Sequence, residues 1–355
     1  MAGSKVRKAA RRAALALAFV MCVAAFAVSA GYTLRPDDQG VRTRLEGFYA
    51  EPDASLDVVF VGSSAVYTFF SPLRLWKNTG LTSYIYATPN QSVDMIRFAV
   101  EECRKTQPDA LYVIELRAML ASQEDRAVIA ADLRRLSDNM PYSRTRSRLI
   151  AALAQPQERL SHEFDLAKYH DRWKETSWED VRFLHWGKSD PMKGWQFSDG
   201  WEPIEARDWS AVNAMIAPDE ANERALEELL AYCRQEGVNA VFIATPFSLS
   251  RKQAKMFNAT GETVKQAGYE FWNLTKMADE IGLDFAADYS DFRHVNTLGA
   301  VKCTDWLGAR LTEKGVLHSA ESDGERWQAC WEEYDAKERA SAEKIKKLIE
   351  DGGER

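Results

Sequence analysis

The chain has 355 residues, of which 46% are hydrophobic, 11% aromatic and 28% charged. Such a composition excludes wholesale disorder, a collagen-like repeat and a multi-pass membrane protein, and is enough for one large core or two ordinary ones. The formal charge of −7 hides an asymmetry: five bases (Lys5, Arg7, Lys8, Arg11, Arg12) and no acid fall in the first twelve residues, leaving 41 basic against 53 acidic residues beyond them, and a body that acidic, without a basic patch interleaved with aromatics, is no general nucleic-acid binder.

Residues 1–12 read as a basic cytosolic segment, and residues 13–31 as a transmembrane signal anchor built on the uncharged stretch AALALAFVMCVAAFAVSA. Eighteen apolar residues suffice to cross a bilayer core as a helix, and the basic flank orients everything after Gly31 to the extracytoplasmic side. The rival reading is a cleaved signal peptide, since Val28-Ser29-Ala30 ends in small residues and would leave the body secreted. A lipid anchor on Cys22 does not fit, because this residue lies in mid-span behind Met21. Residues 32–55 are polar and mixed, and are expected to be a connector leading off the membrane.

Beyond the connector, the short apolar, β-branched runs at 56–62, 83–87, 110–116 and 239–245 suit buried parallel strands, and YEFWNL at 269–274 suits a fifth. Helical spacing occupies 92–105, 218–236, 253–267 and 297–314. Strands alternating with helices predict an α/β domain over residues 56–320, a doubly wound parallel sheet flanked by helices. Residues 120–215 break the alternation. They hold six of the eleven tryptophans (Trp173, Trp178, Trp186, Trp195, Trp201, Trp209), and are expected to form a large helical insertion packed over one end of the sheet. Residues 321–355 form a charged tail, expected to be a solvated helix. Cys103, Cys233, Cys303 and Cys330 could pair in three ways or stay reduced, and none has the spacing of a zinc ligand set. No metal or other cofactor is called for.

Two segments carry chemistry. Gly62-Ser63-Ser64-Ala65 follows the first strand, so its side chains emerge at the carboxyl edge of the sheet, where open α/β folds bind ligands. The absence of GK[ST] excludes a Walker loop, and Val66 excludes the G-x-S-x-G elbow. Far downstream, Asp291 and His294 stand three apart in a loop before the last sheet-covering helix. A serine hydroxyl is a weak nucleophile until a base takes its proton, and a carboxylate can hold an imidazole for that task. A capping aspartate beside a surface histidine is the alternative for D-x-x-H alone.

Together, VVFVGSSAVY and DFRHVNTLGA resemble the first and last blocks of the SGNH, or GDSL-type, hydrolase superfamily. Among its exported members, the likeness is to membrane-anchored proteins that acylate envelope polymers, of the D-alanyl transfer kind. The resemblance spans about residues 56–317 and implies a flavodoxin-like sheet, with Ser64 as nucleophile, His294 as general base and Asp291 as its orienting carboxylate. It further implies an extracytoplasmic serine acyl-ester hydrolase or O-acyltransferase that forms an acyl-enzyme. The partners would be a cell-envelope glycan or other ester-bearing polymer, and a membrane-bound acyltransferase delivering the acyl group.

The middle blocks depart from the family. No glycine follows the second strand, which runs into Asn90 and Gln91, and no asparagine follows the third, where Arg117 stands instead. Asn90 or Gln91 could replace an oxyanion donor, while Arg117 could anchor substrate or simply pair with Glu115. In the insertion, His170, Arg172 and Trp173 are expected either to face the Ser64 pocket or to form a polar knot in a Trp-rich core. The competing function is a non-catalytic SGNH scaffold that binds glycan or assembles a complex.

Overall fold

The computed structural model describes residues 2–36, 38–122, 132–178, 180, 189–316, 318 and 324–353. Five parallel strands, β1 (Val58–Gly62), β2 (Ser83–Ala87), β3 (Leu111–Glu115), β4 (Ala240–Ala244) and β5 (Glu270–Asn273), form one sheet in the order β2-β1-β3-β4-β5. Every residue of β1 to β4 is buried, as strands covered on both faces require. Register sets Gly62 beside Ala87, and Glu115 beside Ile243, so the carboxyl ends of the central strands open on one edge. The order of the strands reverses at β1, and such a switch point leaves a crevice outside the strand ends.

Right-handed crossovers place the helices. The chain moves one way from β1 to β2, through α3 (Ser64–Phe69) and α4 (Pro72–Thr79), and the other way from β2 through β3 to β5. The two groups of connections therefore lie on opposite faces. The helix Thr297–Glu313 packs on α3 and α4 on one face, whereas α5 (Val93–Cys103) packs against Glu220–Gln235 on the other. The expected alternation of strands and helices is thus present, with each element within a few residues of its expected place.

Three expectations change. The N-terminal helix α1 (Ala2–Leu34) contains a span, Val6–Leu34, long and apolar enough to cross a membrane. The connector that should follow it instead contains the helix α2 (Val41–Phe48), which packs on β2 with Val41, Leu45 and Phe48 fully buried. Their spacing is that of one helical face. The flanking arginines that gave the segment its polar look are also buried. Arg42 pairs with Glu46 at 2.7 Å, and Arg44 donates to the Gly194 carbonyl at 2.8 Å.

The charged tail is likewise not a solvated helix. Gly324–Gly353 docks on α4 and on Thr297–Glu313, burying Trp327, Tyr334 and Ile345. Its charges are spread over the remaining faces, and one of them, Glu338, pairs with Arg74 at 3.1 Å.

The insertion is helical in its first half, as expected, but sits elsewhere. Arg144–Leu153 packs on α5 and Asp165–Tyr169 packs on α1, so this half stacks outside the sheet-covering helices and beside α1. Its return segment shields the exposed edge of β2, where the Lys193 carbonyl accepts from the Ile85 N–H at 3.0 Å. Gly194 has φ of +86°, and a Cβ there would stand 2.5 Å from the Ile85 carbonyl oxygen. Lys193 is fully buried against Glu51 at 2.8 Å. All five cysteines are unpaired.

Candidate active site

Gly62 permits the turn that ends β1. A side chain there would place its Cβ 2.6 Å from Val66 Cγ2 and 2.8 Å from Glu115 Cβ. The two serines that follow point in different directions. Ser63 caps α3 and turns inward, donating its hydroxyl to Glu115 Oε2 at 3.2 Å. Ser64 opens the helix and turns outward, with its Oγ 2.8 Å from His294 Nε2.

The loop carrying His294 is closed by an antiparallel bridge between Tyr289 and Val295 and by the Ser290 N–H donating to the His294 carbonyl at 2.9 Å. Asn296 then caps the last sheet-covering helix, accepting from the N–H groups of Leu298 and Gly299 while its amide donates to the Ala287 carbonyl at 2.7 Å. Gly299 is required by packing, because a Cβ would lie 2.5 Å from the Asp288 carbonyl oxygen. The run H-V-N-T-L-G-A is therefore a clamp that sets the histidine on the helix.

Asp291 completes the array. Its Oδ2 lies 2.9 Å from His294 Nδ1, and its Oδ1 accepts from the backbone N–H groups of Arg293 at 2.7 Å and His294 at 2.9 Å. Burial works to raise the Asp291 carboxyl, but the histidine and the backbone donors outweigh it and hold the group below its ordinary value. The His294 imidazole is pushed below its ordinary value, first by burial and then by the positive charge of Arg117, despite the pull of Asp291. A neutral imidazole with Nδ1–H toward the carboxylate leaves Nε2 free to accept the serine proton.

Ser64 and His294 line a cavity of about 310 Å³ together with Asn90, Gln91, Arg117, Phe247, Gln253 and Arg293. Asn90 adopts a left-handed φ of +52°, which asparagine tolerates better than most residues, and the turn it makes sets Gln91 under the cavity. Gln91 is fully buried, and its Oε1 accepts from the Thr88 N–H at 3.1 Å and from the Thr88 hydroxyl at 3.2 Å. An N–H can only donate, so that bond fixes which end of the amide is oxygen. The opposite end, Nε2, is a buried donor with no hydrogen-bond partner among the described residues.

Arg117 follows β3 and does not close an ion pair with Glu115 among the described residues. Its Nη2 donates to Thr245 Oγ1 at 2.8 Å, and its guanidinium carbon stands 4.6 Å from the centre of the Phe247 ring. Glu115 is wholly buried and ties three strand ends together. Besides Ser63, it accepts from the Arg117 backbone N–H at 2.8 Å and the Thr245 hydroxyl at 3.1 Å. Burial raises its carboxyl above the usual range, although Arg117 and these donors act against the shift.

His170, Arg172 and Trp173 do not belong to this site. Arg172 donates to the Leu34 carbonyl at the end of α1, Trp173 is 66% exposed, and the His170 side chain is 62% exposed. Neither the pocket wall nor the polar knot expected of them is present, because the half of the insertion that carries them folded against α1. Only the return segment runs beside the carboxyl-edge loops, where the Glu202 N–H donates to the Tyr289 carbonyl at 2.9 Å and Trp209 packs against the cluster that holds Phe247 and Leu249. Trp195 is buried, Trp178 is exposed, and Trp186 lies outside the described residues. Among the described residues, 120–215 give the cavity only Leu120 and Ala121. Sequence reasoning missed Phe247, Gln253 and Arg293 as cavity residues, and Thr245 as the partner of Arg117. Thr245 and Phe247 lie within three residues of the end of β4, and that place at the carboxyl edge was the signal available. No protein-family model matches the chain, and no curated protein matches it.

Proposed function

We propose that the chain is a serine acyl-ester hydrolase or O-acyltransferase of the SGNH type, held in the membrane by α1 with its body on the extracytoplasmic side. The observation that carries this reading is the 2.8 Å contact between Ser64 Oγ and His294 Nε2, backed by Asp291 at 2.9 Å. In the proposed reaction Ser64 attacks the ester carbonyl while its proton passes to His294 Nε2. The Gln91 amide then donates to the developing oxyanion, in the place of the glycine that the family sets after its second strand. His294 returns the proton to the leaving oxygen as the carbon–oxygen bond breaks, and the acyl group remains on Ser64. Water completes hydrolysis, or an acceptor hydroxyl on an envelope glycan completes transfer, each activated by the same histidine. For transfer, a membrane-bound acyltransferase would supply the acyl donor beside the anchor.

The test is labelling of the full-length protein with a fluorophosphonate probe, which needs an activated serine but no knowledge of the substrate. Labelling located at Ser64 and abolished by Ser64→Ala or His294→Ala is expected. An unlabelled wild-type protein would favour the non-catalytic scaffold.

A further inference from the structure

Within the serine acyl-transfer reading, we propose that the cavity beside Ser64 selects an ester bearing a compact anion, a carboxylate or a phosphate, held by Arg117. Three observations support it. First, Arg117 lines the cavity with Nε and Nη1 both buried and without a hydrogen-bond partner among the described residues. A guanidinium left in that state forfeits charge-assisted hydrogen bonds that an anionic ligand would restore. Second, the nearby carboxylate does not serve instead: Glu115 accepts from Ser63, Thr245 and the Arg117 backbone N–H, and not from the guanidinium nitrogens Nε and Nη1. The guanidinium is held in place by Thr245 and by the faces of Phe69 and Phe247, 5.4 and 4.6 Å from its carbon. Third, the charges lining the cavity have one sign. Arg293 also lines it, and no aspartate or glutamate does among the described residues.

The remaining wall is mixed, with Ala118, Leu120, Ala121 and Phe247 beside the uncharged polar side chains of Asn90, Gln91 and Gln253. A cavity of about 310 Å³ admits a few carbons and one charged group. Such a site is poorly suited to a cationic aminoacyl ester, so the acyl group would differ from the D-alanyl group named by the family resemblance.

The anion could sit on the acyl side, as in a half-ester of a dicarboxylic acid, or on the alcohol side, as in a phosphate-bearing polyol. Two matched pairs separate these sources in full-length protein in nanodiscs. One compares 4-nitrophenyl butyrate with 4-nitrophenyl hemisuccinate. The other compares the acetate esters of 4-cresol and of 4-hydroxyphenylphosphonate. In at least one pair the anionic member should have the higher kcat/KM, by about ten- to a hundredfold, the yield of one charge-assisted hydrogen bond. Arg117→Met should bring the two members within about twofold, and Arg117→Lys should keep part of the preference. Equal rates in both pairs, a preference for an alanyl ester, or a preference that survives Arg117→Met would each overturn the proposal. The wild-type comparison needs no variant to fold. If Ser64 proves unreactive toward the fluorophosphonate, the acyl-transfer reading falls separately. Thermal shifts with succinate and inorganic phosphate then report on the anion site alone. A shift in wild type that Arg117→Met loses supports the site, and no shift in wild type removes it.

Discussion

Two adjacent serines face different partners, Ser64 a histidine and Ser63 a buried carboxylate, and the proposed reaction makes the first the nucleophile and the second its support. Ser64→Ala should abolish fluorophosphonate labelling. Ser63→Ala, which removes a hydroxyl resting on Glu115, should slow labelling without ending it. Gln91→Ala removes the buried amide donor that the proposed reaction assigns to the oxyanion, and a lowering of kcat by about 10² to 10³ with KM little changed is expected. The histidine supplies a pH test whose sign can be worked out in advance. In the proposed reaction its neutral form is the base, and burial and Arg117 both hold its value below the ordinary histidine range. The acid limb of the kcat/KM profile should therefore lie below about pH 6.5. Removing the positive charge in Arg117→Met makes protonation easier and should shift that limb upward. An unmoved limb would show that Arg117 does not act on His294.

At the scale of elements, the clamp before the last sheet-covering helix and the joint between α1 and the insertion make separate predictions. Gly299→Ala brings a methyl against the Asp288 carbonyl. A backbone that cannot retreat should cost about 1–3 kcal/mol in thermal or denaturant unfolding, with labelling of Ser64 lost sooner than helix content, since the same loop positions His294. The joint is polar and buried. Asp165 accepts from Arg35 Nε at 2.7 Å, Tyr142 at 2.8 Å and Arg146 Nη2 at 3.1 Å, with no exposure of the carboxylate. Asp165→Asn strands two buried guanidiniums and should cost about 3–5 kcal/mol, while replacing exposed Asp171 should be neutral. This joint also shows why the first half of the insertion was misplaced from sequence. Its helices are five to ten residues long, too short for a clear apolar stripe. Buried Arg146 and Asp165 look like surface charge until their partners are known, and exposed Trp173 looks like core.

For the whole molecule, the tail and the insertion both bear on stability. Deleting the helix Gly324–Gly353 would expose the groove that holds Trp327, Tyr334 and Ile345, so the shortened protein should unfold at clearly lower temperature than the full chain. His162 in the insertion is 3% exposed and held by Ser137 at 3.0 Å, with its value pushed down to about 4 by burial and by Arg134 and Arg146. The unfolded chain protonates near pH 6.5 while the folded one does not. Stability is thus full above that pH and declines on acidification, by about 3 kcal/mol at pH 4 from this residue. Comparing denaturant midpoints of wild type and His162→Gln across that range would check it.

Residues 56–62, 83–87 and 239–245 announced the sheet by themselves, because a strand buried on both faces is a local run of apolar, β-branched side chains. Ser64, Asp291 and His294 were legible for a related reason. The backbone rules that fix them, a glycine turn after a strand and a loop closed onto a helix cap, are written in neighbouring residues. The strand order then carried Ser64 to His294 across 230 positions. What only the tertiary structure decided depends on partners far apart in the chain. Residues 41–48 and 324–353 became core elements because surfaces elsewhere covered their apolar faces. His170, Arg172 and Trp173 lie beside α1 because their half of the insertion forms a buried ion network at its end. Gln91 and Arg117 acquired their free donors only when Thr88, Thr245 and Glu115 had taken up the other bonds, an outcome that no local pattern encodes.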